Sequence, residues 1–406
     1  METARHIQSI RRPSYDVADR PFILFWEVTR ACDLACKHCR AEAAPICHPE
    51  ELTNAEGHAL IDQVAAFGQP SPLMVMTGGD PMKRPDLPEL VSYAVSQHLA
   101  VALSPSATPL LTPEALAMLK NAGLKVISLS LDGASAATHD TFRGVEGVFD
   151  RTLKLWQAAL SLGLKVQINT TVSRTNLTDL PQIAHLIRLY GAMTWSVFFL
   201  VPTGRGSVLE PITADECEDV MHFLYDVGTA IPVKTTEGHH FKRVVAERTI
   251  LEQRGLDAAK FLHHGPTYYA LRKALEPWPK GEKRRRSPMD VNVGRGVVFI
   301  SHVGKVYPGG FLPLVAGDFR EAGLQEIYRT SPLFLTLRET SSYSGRCGRC
   351  EFASICGGSR SRAYGATGDP LAEDPLCAYQ PGSFPFLEDV RQLIVNESSA
   401  PVMAAH

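Results

Sequence analysis

The chain has 406 residues, of which 45% are hydrophobic and 21% charged, and its formal net charge is −2 at pH 7. A chain of this length can bury a full core and is expected to hold two units. The near-zero charge argues against a nucleic-acid partner, and no apolar run reaches the roughly 18 residues of a membrane span. The first residues contain no apolar signal segment, so we expect a cytoplasmic location, where clustered cysteines are more often metal ligands or redox groups than disulfides.

Six short apolar runs alternate with helical patterns between residues 21 and 205. Each run is rich in β-branched or aromatic residues and ends in polar or turn residues. Between them, segments such as "TPEALAMLKNAG" (112–123) show apolar residues at helical spacing. The alternation predicts an α/β fold, an open partial (βα)6 barrel whose chemistry gathers at the carboxyl ends of the strands. The predicted strands are "FILFWEVT" (22–29), "PLMVMTGG" (72–79), "LAVALSPS" (99–106), "LKVISLSLDG" (124–133), "LKVQINTTV" (164–172) and "TWSVFFLVP" (194–202).

The rest of the chain has a different character. After the barrel we expect a bridging segment that contains the strand-like "AIPVKTTEG" (230–238) and the basic run "GEKRRRSP" (281–288), which we interpret as a solvated loop. "GVVFISHVGKVYPGGFLP" (296–313) predicts a hairpin that opens a small C-terminal α+β domain. The predicted segments are an N-terminal extension (1–20), the barrel (21–205), the bridge (206–290), the C-terminal domain (291–385) and a final helix and tail (386–406).

Seven of the nine cysteines fall in two groups, and the first follows the first predicted strand. "TRACDLACKHCRAEA" (29–43) places Cys32, Cys36 and Cys39 in one loop. Structural zinc prefers four closed ligands, whereas three thiolates suit a four-iron cluster whose fourth iron stays open. The spacing alone favours an iron–sulfur cluster and leaves zinc with a distant ligand, or coincidence, as alternatives.

The loop with this Cys-x3-Cys-x2-Cys spacing, together with "TGGDP" (77–81) after the second strand, resembles the radical S-adenosylmethionine (radical SAM) enzymes. The resemblance covers residues 21–205. It implies a [4Fe-4S] cluster on the three cysteines, whose open iron binds S-adenosyl-L-methionine (SAM). One electron, expected from a flavodoxin- or ferredoxin-type donor, then cleaves SAM to a 5′-deoxyadenosyl radical that takes hydrogen from the substrate.

The resemblance also assigns SAM-binding residues to the ends of two strands. The backbone of Gly78 and Gly79, which lack a Cβ and so admit a close ligand, is expected to meet the methionine amine. Asp80 assists there, although the family usually carries Glu at that position. "SLSLDG" (128–133) and "HDTFRG" (139–144) supply Ser130 and Arg143 for the methionine carboxylate and the ribose, since an arginine fork can bind a carboxylate bidentately.

Three further residues are predicted to contact SAM on weaker grounds. Asn169 and Leu200, near the ends of the fifth and sixth strands, are assigned to the ribose and adenine, with plain sheet residues as the alternative. His38 lies where the family often has an aromatic residue near the adenine, and we assign it no acid–base role.

The second cysteine group comprises Cys347, Cys350, Cys356 and Cys377. In isolation four thiolates fit zinc and a cluster about equally. Beside a radical SAM barrel the spacing resembles the SPASM or shorter twitch extension, whose cysteines hold auxiliary clusters. Gly309 and Arg360 stand where that pattern has further cysteines. The resemblance therefore implies a single auxiliary [4Fe-4S] cluster, ligated by all four.

Two polar segments are predicted on the substrate side. "VPTGRG" (201–206) carries Arg205, and "TTEGHH" (235–240) offers Glu237, His239 and His240 at a strand end. Such side chains suit acid–base work or the binding of substrate carboxylates, with a solvated loop as the alternative.

The C-terminal "CGGSRSRAY" (356–364) and "GDPLAEDPLC" (368–377) resemble the branch that contains alternative haem-biosynthesis decarboxylases and haem d1 formation proteins. Those proteins act on propionate or acetate side chains of tetrapyrroles. The leading hypothesis is therefore a radical SAM enzyme acting on a carboxylate-bearing small molecule such as a tetrapyrrole. Only about twenty residues precede the first strand, so we see no winged-helix peptide-recognition domain. A maturase of ribosomal peptides is the alternative, and a non-catalytic iron–sulfur or zinc protein is the third hypothesis.

Overall fold

The computed structural model describes residues 9–279, 281 and 285–399. Residues 1–8 of the predicted extension, 282–284 of the basic run and 400–406 of the tail lie outside the described residues. The strands are β1 (Ile23–Thr29), β2 (Leu73–Gly78), β3 (Val101–Leu103), β4 (Val126–Ser130), β5 (Lys165–Val172), β6 (Thr194–Phe199), β7 (Val233–Thr236), β8 (Asn292–Val293), β9 (Gly296–Ile300), β10 (Lys305–Tyr307) and β11 (Gly317–Asp318).

The helices alternate with the strands through the first half of the chain and dominate the second half. They are α1 (Asn54–Ala65), α2 (Leu87–Ser96), α3 (Pro113–Asn121), α4 (Ala136–Arg143), α5 (Val148–Ser161), α6 (Leu180–Tyr190), α7 (Ala214–Val227), α8 (Phe241–Gln253), α9 (Pro266–Leu275), α10 (Leu324–Thr330), α11 (Pro332–Arg338), α12 (Gly345–Arg349), α13 (Arg360–Thr367) and α14 (Leu387–Ser399). Within the described residues, no helix combines the length and apolar character that crossing a membrane requires.

The predicted α/β class is confirmed, and the sheet is larger than the six predicted barrel strands. β1 to β6 pair in parallel and in chain order, as successive βα units do. β7, from the predicted bridge, pairs in parallel with β6, and β9 pairs in parallel with β1. β10 and β11 continue from β9 as an antiparallel hairpin extension. In the described part of the chain the sheet path ends at β7 and β11, so the barrel stays open.

The two faces of the sheet differ because side chains alternate along a strand. On β1, Leu24, Trp26 and Val28 are buried in one apolar cluster with residues of α1 and α2. Phe25 and Glu27 therefore point to the opposite, concave face. The apolar clusters between the sheet and the helices that cover it form what we call the outer core. Leu129 and Ile168 belong to it. Their neighbours Ser130 of β4 and Asn169 of β5 therefore lie on the concave face.

Candidate active site

The first cysteine group lies in the loop after β1. Cys32 and Cys36 are buried and Cys39 is half-buried. The Leu34 N–H donates to the Cys32 Sγ at 3.4 Å, and the Arg143 Nη1 donates to the Cys36 Sγ at 3.6 Å. Donors aimed at sulfur stabilise thiolates. The donor set thus fits the three-thiolate cluster site that the sequence predicts.

Gly78 and Gly79 hold the end of β2 against this loop. The Gly79 N–H donates to the Thr29 carbonyl at 2.8 Å, and the Asp80 N–H donates to the Ala31 carbonyl at 2.6 Å. A Cβ on Gly79 would lie 2.5 Å from the carbonyl oxygens of both Arg30 and Ala31. The glycines are therefore required for this backbone packing, and their contact with the methionine amine stays a prediction.

We expect Gly79→Ala to push the end of β2 away from the cysteine loop and to lower the free energy of unfolding by about 1–3 kcal/mol. Iron loading should fall in parallel, because the loop that carries the cysteines shifts. Thermal unfolding and iron analysis of the reconstituted protein measure both effects. Gly323→Ala is the matched control, since no atom lies within 4 Å of its Cβ position and its φ is −56°. Equal behaviour of the two variants would contradict the packing role.

Asp80 is fully buried and organises neighbouring loops. Its carboxylate accepts hydrogen bonds from the Thr108 hydroxyl at 2.6 Å, the Met82 N–H at 3.1 Å and the Ser106 N–H at 3.4 Å. Burial raises the pKa of Asp80 despite these donors. The side chain thereby links the turn after β2 to the loop after β3, and its assistance to SAM binding stays a prediction.

Ser130 and Asn169 lie side by side, since the β4–β5 register pairs these two residues. Arg143 reaches the same edge from the C-terminus of α4, which ends because Gly144 adopts a left-handed φ of 72°. Its guanidinium bonds to the buried Asp132 carboxylate, which also accepts the Thr171 N–H at 2.7 Å. Among the described residues the Arg143 Nε has no hydrogen-bond partner. The structure thus brings together three of the residues predicted to bind SAM.

His38 and Leu200 lie at the same end of the sheet. The His38 ring stacks on Phe142 with a centroid distance of 4.7 Å. Burial, and then the nearby Arg143, lower the pKa of His38 to about 4, so the ring is neutral at physiological pH. The contact of His38 with the adenine stays a prediction. Leu200 is buried directly after β6.

Arg205, predicted on the substrate side, lies against the cysteine loop. Its Nε donates to the Cys36 carbonyl at 3.0 Å, and its N–H donates to the Cys39 carbonyl at 2.9 Å. The loop after β6 therefore braces the first cysteine group, and the role of Arg205 toward substrate stays a prediction.

Glu237 and His240 face the C-terminal segment. The Glu237 carboxylate accepts from the Ser359 hydroxyl at 2.5 Å and the Ser361 hydroxyl at 3.0 Å, and burial raises its pKa. His240 is fully buried with its Nε2 3.2 Å from the Cys217 Sγ, and burial lowers its pKa to about 4. Both residues therefore contact the second half of the chain, whereas Arg205 contacts the first cysteine loop. His239 is half-buried beside them, and the acid–base roles of all three stay predictions.

The second cysteine group lines a single pocket together with Arg243. The Gly358 N–H donates to the Cys356 Sγ at 3.4 Å. The Cys347 Sγ accepts from the Asp374 N–H and from the Arg360 Nη2, each at 3.4 Å. Arg360 occupies a position at which the SPASM pattern has a cysteine. In this chain its side chain instead donates to the thiol of Cys347. Cys350 and Cys377 are half-buried and complete the lining.

Two buried residues that the sequence patterns did not indicate, Arg362 and Asp374, join the second cysteine group to the ends of β6 and β7. Arg362 donates through Nη1 to both carboxylate oxygens of Asp374, at 3.0 and 2.9 Å. Its other nitrogens donate to the carbonyls of Phe199, Leu200 and Glu237, at the carboxyl ends of β6 and β7. The only signal was the charge of "SRSR" and "EDP" between cysteines, which a solvated loop would also show.

Comparisons with known proteins identify the family of the chain. Residues 26–187 match the model of the radical SAM superfamily. "AdoMet-dependent heme synthase" of Nitratidesulfovibrio vulgaris is 39% identical over 88% of this chain and 92% of that protein. The protein of the same name from Methanosarcina barkeri is 37% identical over 90% and 99%. "Mycofactocin maturase MftC" of Mycobacterium tuberculosis is 31% identical over 92% and 87%.

Solved structures share the fold at low identity. SuiB of Streptococcus suis bound to S-adenosylmethionine superimposes with a TM-score of 0.65 at 16% identity, over 89% of this chain and 78% of that chain. The structure of anSMEcpe with bound AdoMet gives a TM-score of 0.62 at 14% identity, over 93% and 100%. The chain therefore belongs to the radical SAM superfamily, in the branch that contains the AdoMet-dependent heme synthases, and is a SAM-dependent enzyme whose family cofactor is a [4Fe-4S] cluster.

Proposed function

We propose that the enzyme takes hydrogen from a carboxylate-bearing side chain of a tetrapyrrole. The observation that carries this proposal is the nearly full-length match, at 37–39% identity, to relatives named as heme synthases. The match includes the C-terminal half, whose residues reach the carboxyl ends of β6 and β7 through Arg362.

The chemistry of haem points to the side chains that react. Haem carries vinyl groups where iron coproporphyrin III carries propionates, so conversion requires the loss of carbon dioxide, one hydrogen atom and one electron per vinyl group. SAM and the cluster, when bound, supply the radical that removes the hydrogen atom. The chain's own part is to hold the cluster on Cys32, Cys36 and Cys39, and to present Ser130, Asn169 and Arg143 to SAM. The electron requires a one-electron acceptor of the iron–sulfur or flavin class.

The four-cysteine pocket suits an auxiliary [4Fe-4S] cluster. Four thiols surround one pocket, and N–H donors and three arginines, Arg243, Arg346 and Arg360, lie against it. A cluster held there would supply one-electron redox capacity next to the barrel.

We expect Cys350→Ala to lower the iron content by about four atoms per chain, because a [4Fe-4S] cluster loses one of its ligands. Reductive cleavage of SAM in the absence of substrate should continue, since the first cysteine group is untouched. Anaerobic iron and sulfide analysis measures the first effect, and 5′-deoxyadenosine formation measures the second. Cys217→Ala, which removes a buried cysteine outside both groups, is the matched control. Unchanged iron in Cys350→Ala would refute the auxiliary cluster.

The substrate proposal is tested by incubating the reconstituted enzyme anaerobically with SAM, dithionite, a flavodoxin and iron coproporphyrin III. We expect porphyrin-dependent 5′-deoxyadenosine, and a product lighter by carbon dioxide and two hydrogens per converted side chain. A porphyrin recovered unchanged, with no stimulation of SAM cleavage, would overturn the proposal.

A peptide maturase is the second candidate, favoured by the 31% identity to "Mycofactocin maturase MftC" over 92% of this chain. Its test is the same assay with a short precursor peptide encoded near this protein in place of the porphyrin. Stimulation of SAM cleavage by the peptide and not by the porphyrin would support this candidate over the first.

A further inference from the structure

The concave face of the sheet carries an aromatic wall. β1 and β9 are paired so that Phe25 is the partner of Phe299, and both point away from the outer core. Tyr307 of β10 contacts Phe299 with a centroid distance of 6.0 Å. Phe198 of β6 contacts Phe311 at 6.4 Å, so aromatic rings face each other from the two sides of the open barrel. These rings pack edge to face, and a concave face lined by aromatic side chains suits an aromatic ligand.

Arg40 stands over this wall, directly after the third cysteine of the first group. Its guanidinium carbon lies 4.3 Å from the centroid of the Phe299 ring. Its Nη2 is 3.2 Å from the Glu27 Oε1, and the side chain retains 20% of its exposure. Among the described residues, no hydrogen bond of good geometry engages the Arg40 guanidinium. Most of its five N–H donors are thus free to take a ligand.

Glu27, the carboxylate that pairs with Arg40, also lies close to other basic side chains. Glu27 is buried, and its Oε2 lies 2.8 Å from the His302 Nδ1. Burial opposes the ionised form of Glu27, but Arg40 and then His302 keep its pKa below the ordinary value. Arg30 lies within electrostatic range of the same carboxylate. Two arginines and a histidine therefore lie close to one carboxylate.

We propose that Arg40, stacked on Phe299, is the receptor for a carboxylate of the substrate and so determines specificity for acidic, flat molecules. A planar guanidinium binds a carboxylate bidentately, and the ring below it keeps the fork oriented and partly desolvated. Ligand binding replaces the poorly aligned contact with Glu27, which keeps its bond to His302. The inference rests on the proposed tetrapyrrole function, because it assumes a carboxylate-bearing ring system on the concave face.

The test is anaerobic absorbance titration of the reconstituted full chain with iron coproporphyrin III and, in the same buffer with detergent, with its methyl ester. We expect Arg40→Gln to bind the free acid at least about tenfold more weakly than the wild type, because a charge-assisted bond is lost. Binding of the ester should not change. Arg40→Lys should fall between the two, since it keeps the charge and loses the fork.

Lys37→Gln is the matched control, because it removes an exposed cation from the same loop. It should bind the acid as the wild type does. Iron content reports whether each variant keeps its loop, and Arg40→Lys replaces Arg40→Gln in the comparison if the latter fails to load iron. Equal affinity of the wild type and both Arg40 variants for the acid would overturn the role of Arg40 alone. A wild type that binds neither form would overturn the proposed function and the Arg40 receptor with it.

Discussion

Replacing Cys36 by alanine should reduce SAM cleavage to background while the protein remains folded. The cluster that we assign to the first group would be held by three thiolates, so the loss of one would leave an iron without a protein ligand. The substitution also removes the sulfur to which the buried Arg143 donates. Dithionite-driven 5′-deoxyadenosine formation measures the loss, and iron analysis should still show the cluster of the second group.

Cys47→Ala is the control for this experiment, because Cys47 is an exposed cysteine in the same long loop. It should cleave SAM at the wild-type rate. Cleavage by Cys36→Ala at the wild-type rate would remove the assignment of the first cluster.

Replacing Arg362 by methionine should lower the free energy of unfolding by about 3–5 kcal/mol. Both Arg362 and Asp374 are buried, at 2% and 0% exposure, so the substitution leaves a buried carboxylate without its partner. Three backbone carbonyls at the carboxyl ends of β6 and β7 lose this donor as well. Chemical denaturation under anaerobic conditions measures the change. Because the Asp374 N–H donates to the Cys347 Sγ, iron at the second group should also fall.

The loss of stability caused by Arg362→Met should become smaller as the pH falls. Burial opposes ionisation of Asp374, but Arg362 holds its pKa at about 2. Its stabilising contribution is therefore present above the unfolded-state pKa of about 3.9 and is lost as the pH falls through about 2. Without Arg362 the pKa rises, so acid neutralises the stranded carboxylate. The stability gap between the wild type and Arg362→Met should narrow as the pH falls.

Arg391→Met is the control, since Arg391 pairs with Glu388 on the surface of α14 with both side chains largely exposed. We expect a change within about 0.5 kcal/mol. A similarly small change for Arg362→Met would contradict its role as the link between the second cysteine group and the ends of β6 and β7.

The order and kind of the first six strands could be predicted because their signal is local. Each strand is a short apolar run followed by turn residues. The rule that chemistry gathers at carboxyl ends directed attention to Ser130 and Asn169, and the β4–β5 register then pairs them. The pairing of β7 with β6 and of β9 with β1 could not be read in the same way. These contacts join distant segments, and nothing in "VKTT" or "GVVFI" states which edge the strand will join.

The cysteines carried a clear signal, whereas the charged residues around them did not. Asp80 was predicted from its motif to assist SAM, yet its partners Thr108 and Ser106 come from another loop that the motif does not contain. Asp132 was inside a quoted motif and was still missed. Arg40 and Arg362 were missed because an arginine in a polar segment is usually solvent-exposed. Only the folded structure shows the Phe299 ring next to Arg40 and the backbone carbonyls to which Arg362 donates.

Isotope transfer from substrate to cofactor tests most directly whether the enzyme takes hydrogen from a propionate side chain. The reconstituted enzyme is incubated with SAM, dithionite, a flavodoxin and iron coproporphyrin III deuterated on its propionate side chains, and the 5′-deoxyadenosine is weighed by mass spectrometry. We expect deuterium in the 5′-deoxyadenosine, because the 5′-deoxyadenosyl radical takes hydrogen from the side chain that then loses carbon dioxide. Unlabelled 5′-deoxyadenosine, formed at the same rate with and without the porphyrin, would contradict it.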